Sequence, residues 1–189
     1  MLGNVKQTSG VKGVGDLVGK MFGAKASNES VIKPVYSGTG LLMLEPTYKH
    51  LITVDVSEWG TIVLDDGLFY ACDGTVRQQS KARRNISSAI LGSEGLFNLS
   101  LSGNGYAILE SPVPAEELIR IDLDDDEIKI DGNFAIAWSD GLDFRTETIS
   151  KNILTSAASK EGFVNVYRGT GSILLAPVLP PVKVSQLSA

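Results

Sequence analysis

The sequence predicts an all-β fold. The expected form is a β-sandwich or double-stranded β-helix-like body of three pseudo-symmetric hairpin repeats, with short helical or loop segments between them. Three observations carry that expectation. A phrase recurs, as VYSGTGLLMLEP at 35–46, LSLSGNGYAILES at 99–111 and VYRGTGSILLAP at 166–177. Its period is regular, with Gly38, Gly103 and Gly169 lying 65 and 66 positions apart. Alternating segments follow the first two copies, Ile52, Val54 and Val56, then Ile119, Ile121 and Leu123, which puts the apolar side chains on one face of a strand.

Along the chain, residues 1–27 read as a Gly-rich arm. Lys6, Lys12, Lys20 and Lys25 against Asp16 give it a net charge of +3, leaving −8 for the rest of a chain whose total is −5. Val11, Val14, Leu17, Val18, Met21 and Phe22 recur at helical spacing and form an apolar stripe. The five glycines from Gly10 to Gly23 weaken a free helix by about 1 kcal/mol each, so the stripe needs a surface to fold against. That surface is the protein's own core, a partner chain or a lipid headgroup layer, and Val11, Val14, Leu17, Val18, Met21, Phe22, Lys12, Lys20 and Lys25 are the candidate contacts.

A single β domain is expected over 28–185, in units of about 28–80, 93–145 and 160–185. Each unit centres on a glycine pair, Gly38 and Gly40, Gly103 and Gly105, or Gly169 and Gly171. Between apolar runs such a pair predicts a two-residue hairpin turn. A phosphate loop would need a helix after the glycines, and here strands follow. Leu41 to Leu44 and Ile173 to Ala176 are apolar without alternation, which predicts cover on both faces by a second sheet or a neighbouring subunit. Glu29, Glu94 and Glu161 stand eight or nine residues before the first glycine of each pair, so the repeat is longer than a hairpin. Asp66-Gly67 and Asp131-Gly132 predict tight turns. The segments at 77–95 and 145–162 predict loops with one or two helical turns, and a Pro-rich exit leads to a last strand at Val182 to Val184.

Chemistry is sparse. An acidic chain, pI about 4.9, is poorly suited to nucleic acid. One cysteine, Cys72, excludes an intramolecular disulfide and points to a reducing compartment. No apolar run is long enough to cross a bilayer and no secretory signal is visible, so a cytoplasmic protein is expected. Cys72 and the single histidine, His50, cannot build a zinc site. The run Asp122 to Glu127 has Glu127 where a calcium loop needs glycine, and reads as a solvated turn between strands. Trp59 and Trp138 read as core or rim residues, and Glu45 and Glu110 match in two units but become Ala176 in the third. No catalytic, cofactor or metal residue is expected, and the chain reads as a non-enzymatic, self-assembling scaffold.

The phrases GSEGLFNLSLSGNGYAILES and EGFVNVYRGTGSILLAP, with the Gly-rich apolar segment, resemble the altered-inheritance-of-mitochondria family numbered twenty-four across about residues 10–180. The resemblance implies a β-sandwich related to the tryptophan RNA-binding attenuator protein. It supplies no catalytic residues. A family member linked to mitochondrial inner-membrane organisation implies a membrane-associated structural role, peripheral to the inner face of a membrane. The attenuator protein implies an alternative, a small-ligand or RNA-binding module. For RNA the chain offers only Lys81, Arg83 and Arg84, without interleaved aromatics. Compared with typical members the chain is expected to lack strands that precede the Gly-rich segment, and the open edge so implied favours a homo-oligomer.

Overall fold

A computed structural model describes residues 2–8, 34–82, 97–131, 134–148 and 163–178. Their regular structure is strand, apart from two 3₁₀ turns at Val56–Trp59 and Ala115–Glu117. β1 (Leu2–Gly3) and β2 (Lys6–Thr8) run antiparallel to β4 (Gly40–Leu41) and β3 (Val35–Ser37), pairing Leu2 with Leu41 and Lys6 with Ser37. Residues 2–8, expected in the arm, are thus strand partners of the first glycine phrase, so strands do precede the Gly-rich segment, contrary to expectation. β7 (Phe69–Cys72) and β8 (Arg77–Ala82) run in the same way against β10 (Tyr106–Ser111) and β9 (Phe97–Ser102). β12 (Ala135–Ser139) and β13 (Asp143–Thr148) do so against β14 (Phe163–Leu175).

A further strand flanks the second and third pairs. β5 (His50–Asp55) pairs with β10, and β6 (Thr61–Leu64) pairs with β9. β11 (Ile119–Asp131) pairs with β14 along nearly its whole length. A seven-stranded sheet results, ordered β11-β14-β12-β6-β9-β8 with β13 beside β14, and a three-stranded sheet ordered β5-β10-β7. Ile52, Phe69, Ala107 and Leu109 from the small sheet meet Ile62, Leu64, Leu101 and Ala137 from the large one in a buried layer. That is the sandwich core. Burying a leucine or isoleucine of this layer contributes about 1.5–3 kcal/mol. A second cluster joins Trp138, Tyr167, Leu123 and Ile173, with Trp138 and Tyr167 edge-on at 5.4 Å.

The glycine pairs differ from the hairpin expectation. β3 and β4 do not pair with each other, nor do β9 and β10, and β14 runs straight through Gly169 and Gly171. Each pair bends a continuing strand instead of reversing it. The first glycine has φ of 134°, 113° or 124° at Gly38, Gly103 and Gly169, and the second 158°, 149° or 156° at Gly40, Gly105 and Gly171. The bend carries the strand from one set of partners to the next. At Gly103 the reason for glycine is steric: a Cβ there would sit 2.7 Å from the Thr75 carbonyl oxygen in the turn between β7 and β8. Tyr106 N–H donates to Asp73 Oδ2 at 2.8 Å, and Val56 N–H donates to the Gly105 carbonyl at 3.0 Å, so both neighbours are tied to the bend.

Other expectations need correction. Leu41, Met43 and Leu44 are exposed rather than covered, whereas Ile173 and Ala176 are buried. The difference is one of partners: among the described residues β14 has strands on both sides and β4 has one. Asp66-Gly67 is a turn, but it joins β6 and β7, which lie in different sheets. The acidic run is not a turn between strands. β11 passes through it and shifts register between Leu123 and Asp126, with Asp125 at φ 50° and its N–H donating to Thr170 Oγ1 at 3.0 Å. An acidic bulge faces the third glycine bend. Gly132, the segments at 83–96 and 149–162 with their glutamates, and Val182 to Val184 lie outside the described residues.

Candidate interaction surface

Six of the eight large hydrophobic side chains exposed among the described residues fall within residues 35–51: Val35, Leu41, Met43, Leu44, Tyr48 and Leu51. The clustering follows from the fold. After the second glycine bend, the second and fourth residues, Ala107 and Leu109, face inward and are fully buried. The equivalents in the first phrase are Leu42 and Leu44, and Leu41 and Met43 occupy the outward positions. Met43 is 78% exposed and Leu41 56% exposed. Apolar residues grouped in this way on a surface mark a contact surface more often than scattered ones do.

The stretch is anchored at its far end. Tyr70 Oη donates to the Glu45 carbonyl. Lys49 Nζ donates to the Gly67 carbonyl at 2.8 Å and meets Glu110 Oε2 at 3.3 Å. Those contacts hold residues 45–49 against the start of β7 and leave the apolar side chains facing out.

Several polar groups elsewhere pair with one another. On β11 and β13, Lys129 meets Glu147 at 2.6 Å, and Arg145 meets Glu147 at 2.8 Å and Glu127 at 3.1 Å. The Lys129 ammonium, then the Arg145 guanidinium, lower the Glu147 carboxyl below its ordinary value. Arg120 stacks over the Trp59 ring at 5.0 Å and bonds Asp122 and the Ser172 hydroxyl at 3.0 and 2.9 Å. The Ser172 hydroxyl donates in turn to Asp122 and, with Arg120, holds that carboxyl low. Among the described residues no group of three or more His, Cys, Asp and Glu side chains could hold a metal.

His50 is exposed at the start of β5, opposite Ser111, while Cys72 ends β7 opposite Ala107. They lie on opposite sides of β10 and four residues apart along it, about 13 Å in strand rise, so they form no nucleophile pair. Burial pushes the half-buried Cys72 thiol up, opposed by a Gln78 amide at 3.4 Å. Lys81, one residue of the expected basic patch, is engaged by Asp140, and Arg83 and Arg84 lie outside the described residues. The arm candidates Val11, Lys12, Val14, Leu17, Val18, Lys20, Met21, Phe22 and Lys25 also lie outside them. The six phrase glycines, Gly38, Gly40, Gly103, Gly105, Gly169 and Gly171, are all described and shape strands. Sequence reading missed the exposure of Leu41 and Met43, although their outward register after Gly40 was the available signal.

Comparison with other proteins agrees with the resemblance drawn from the glycine phrases. An uncharacterised protein of Streptococcus pyogenes serotype M6 is 31% identical over 176 residues, covering 91% of this chain and 68% of the relative. An X-ray crystal structure of another Streptococcus pyogenes protein matches with a TM-score of 0.65 at 25% identity, covering 99% of this chain and 81% of that one. A family model described as mitochondrial biogenesis AIM24 matches residues 1–178, and the chain belongs to that family.

Proposed function

We propose that this protein is a non-enzymatic β-scaffold that assembles with copies of itself and lies peripherally against an anionic membrane surface inside the cell. The observation that supports the reading best is the outward apolar surface around Leu41, Met43, Tyr48 and Leu51. A second copy is the proposed occupant, because two such surfaces can face each other across a twofold axis. The membrane contact is assigned to the basic arm, whose Lys12, Lys20 and Lys25 edge an apolar stripe while the rest of the chain is acidic. Anionic headgroups attract the one and repel the other.

Two measurements test the two halves separately. Sedimentation velocity of the full chain is expected to show an oligomer that dissociates in the Leu41→Ser/Met43→Ser variant. A monomer in the wild type removes the assembly. Flotation with phosphatidylserine-containing vesicles is expected for the wild type and not for Lys12→Glu/Lys20→Glu/Lys25→Glu. Equal flotation of the two, or none by either, removes the membrane contact.

A further inference from the structure

We infer that Asn104 is a site of spontaneous covalent modification, where the Gly105 amide nitrogen closes on the asparagine side chain and converts it to aspartate and isoaspartate. The site lies in the second glycine bend and is independent of the assembly proposed above.

The residue between the two glycines is Thr39 in the first phrase, Asn104 in the second and Thr170 in the third. Of these side chains only the asparagine offers an amide carbon that a main-chain nitrogen can attack, with ammonia as leaving group. Asn104 is also the one asparagine in the chain that precedes a glycine. Glycine has no Cβ to shield its nitrogen from the preceding side chain.

Both reacting groups are available. Asn104 is exposed, with a glycine on either side. Among the described residues neither the Asn104 side chain nor the Gly105 N–H has a hydrogen-bond partner. In the third bend the equivalent side chain is engaged, since Thr170 Oγ1 accepts from Asp125 N–H at 3.0 Å. The groups that follow the Gly105 nitrogen are fixed. Its carbonyl accepts from Val56 N–H at 3.0 Å, and Tyr106 N–H donates to Asp73 Oδ2 at 2.8 Å. A held nucleophile beside an unpaired side chain is the arrangement that ring closure needs.

The step needs only solvent. A base in water removes the Gly105 N–H proton and the nitrogen bonds to Asn104 Cγ. The side-chain amide takes up a proton and leaves as ammonia. Water then opens the cyclic succinimide. Opening at Cγ gives aspartate. Opening at the main-chain carbonyl carbon gives isoaspartate, whose main chain runs through Cβ and Cγ and is longer by one methylene group. In sum, one water is consumed and one ammonia is released.

Other positions lack these conditions. Asn98 is buried, and its Nδ2 donates to the Leu64 carbonyl at 3.1 Å. The carboxylates of two Asp-Gly pairs, Asp73 and Asp140, are held by Tyr106 N–H and by Lys81.

The product bears on the fold because the bend has no room to lengthen. A Cβ on Gly105 would already sit 2.7 Å from Thr75 Oγ1 and 3.1 Å from Asp73 Oδ2. An extra methylene group in the main chain displaces Gly105 from Val56 and Tyr106 from Asp73, the ties that fasten the bend to the ends of β5 and β7. Modified chains thus have a looser second bend, and the modified fraction grows with the age of the protein.

The test is incubation of the full-length chain over days in mildly alkaline buffer, read by peptide mass spectrometry and by isoaspartyl methyltransferase labelling. Asn104 is expected to yield both aspartate and isoaspartate, at least about tenfold faster than Asn98. Asn104→Thr, which installs the residue of the other two bends, is expected to fold and to give no isoaspartate at this position. Absence of conversion in the folded chain overturns the inference, and conversion of the same peptide in urea would then show that the fold withholds the nitrogen. Aspartate without isoaspartate overturns the cyclic route. Hydrogen exchange reads the consequence. Amides of Val56 and Tyr106 are expected to exchange at least about tenfold faster in the isoaspartate form than in unmodified protein. Asn104→Asp, which adds charge without length, is expected to exchange like the wild type. Unchanged exchange in the isoaspartate form, or equal acceleration in Asn104→Asp, overturns the lengthened bend.

Discussion

Gly103 and Gly169 hold similar backbone angles yet differ in what a methyl group would meet. At Gly103 the obstacle is the Thr75 carbonyl oxygen at 2.7 Å, a backbone atom that cannot rotate away. At Gly169 the nearest atom is the Gly141 carbonyl oxygen at 3.5 Å, ordinary contact, so only the strain of φ 124° remains. Gly169→Ala is therefore expected to cost about 1 kcal/mol and Gly103→Ala about 2–3 kcal/mol in a denaturant melt. Equal costs would mean that the close approach at Gly103 relaxes. Cys72 gives a second prediction at this scale. Burial raises its thiol and the Gln78 amide partly offsets that, so less thiolate is present than in a free cysteine. Reaction with a neutral alkylating agent at pH 8 should be slower than for free cysteine, and slower again in Gln78→Ala. Faster reaction in the variant would show that shielding by Gln78 outweighs its hydrogen bond.

At the element scale, β11 and β13 lie on opposite edges of β14, yet Glu127, Lys129, Arg145 and Glu147 join them across it. Because Glu147 is held below its ordinary value of 4.5, its pairing contributes stability in full above that value. The contribution is lost as pH falls through the lower, folded value. Thermal melts of the wild type should thus drop on acidification below about pH 4.5, and Glu147→Gln should drop less over the same range. The pairs are solvent-screened, so the gap between the two curves is expected to shrink in high salt. Parallel curves would assign the acid sensitivity to other carboxylates. The same elements show where sequence reading succeeded and failed. Trp138 was placed in the core or at its rim, and it stacks near Phe144 and Tyr167 at 5.2 and 5.4 Å. The acidic run Asp122 to Glu127 looked like a turn because charge and lack of alternation usually end a strand. Here Thr170 and the glycine bend on β14 supply a partner for the bulge, and that partner lies 45 residues away in sequence. Local pattern cannot register such a contact.

Over the whole molecule, the legible part was what repeats: the glycine phrases, the alternating strands after them, and hence an all-β body. What a glycine bend does was not legible, because positive φ is shared by hairpin turns and by strands that bend towards a facing backbone. Only the pairing of β9 and β10 with different strands separates the two. Cover was equally hidden, since Leu41 to Leu44 and Ile173 to Ala176 read alike while, among the described residues, one has a single neighbouring strand and the other has two. The exposed run then bears on stability as well as on assembly. If copies join through Leu41 and Met43, the folded state is stabilised by mass action and the melting temperature must rise with protein concentration. For a dimer of chains this size the rise is on the order of 2 °C for each tenfold increase. Differential scanning measurements over two decades of concentration should show that slope in the wild type and a flat line in Leu41→Ser/Met43→Ser. Removing two largely exposed apolar side chains should leave the dilute-limit melting temperature almost unchanged. A fall at every concentration, with no slope in either protein, would instead place these side chains in contacts within a single chain and remove this surface from the assembly.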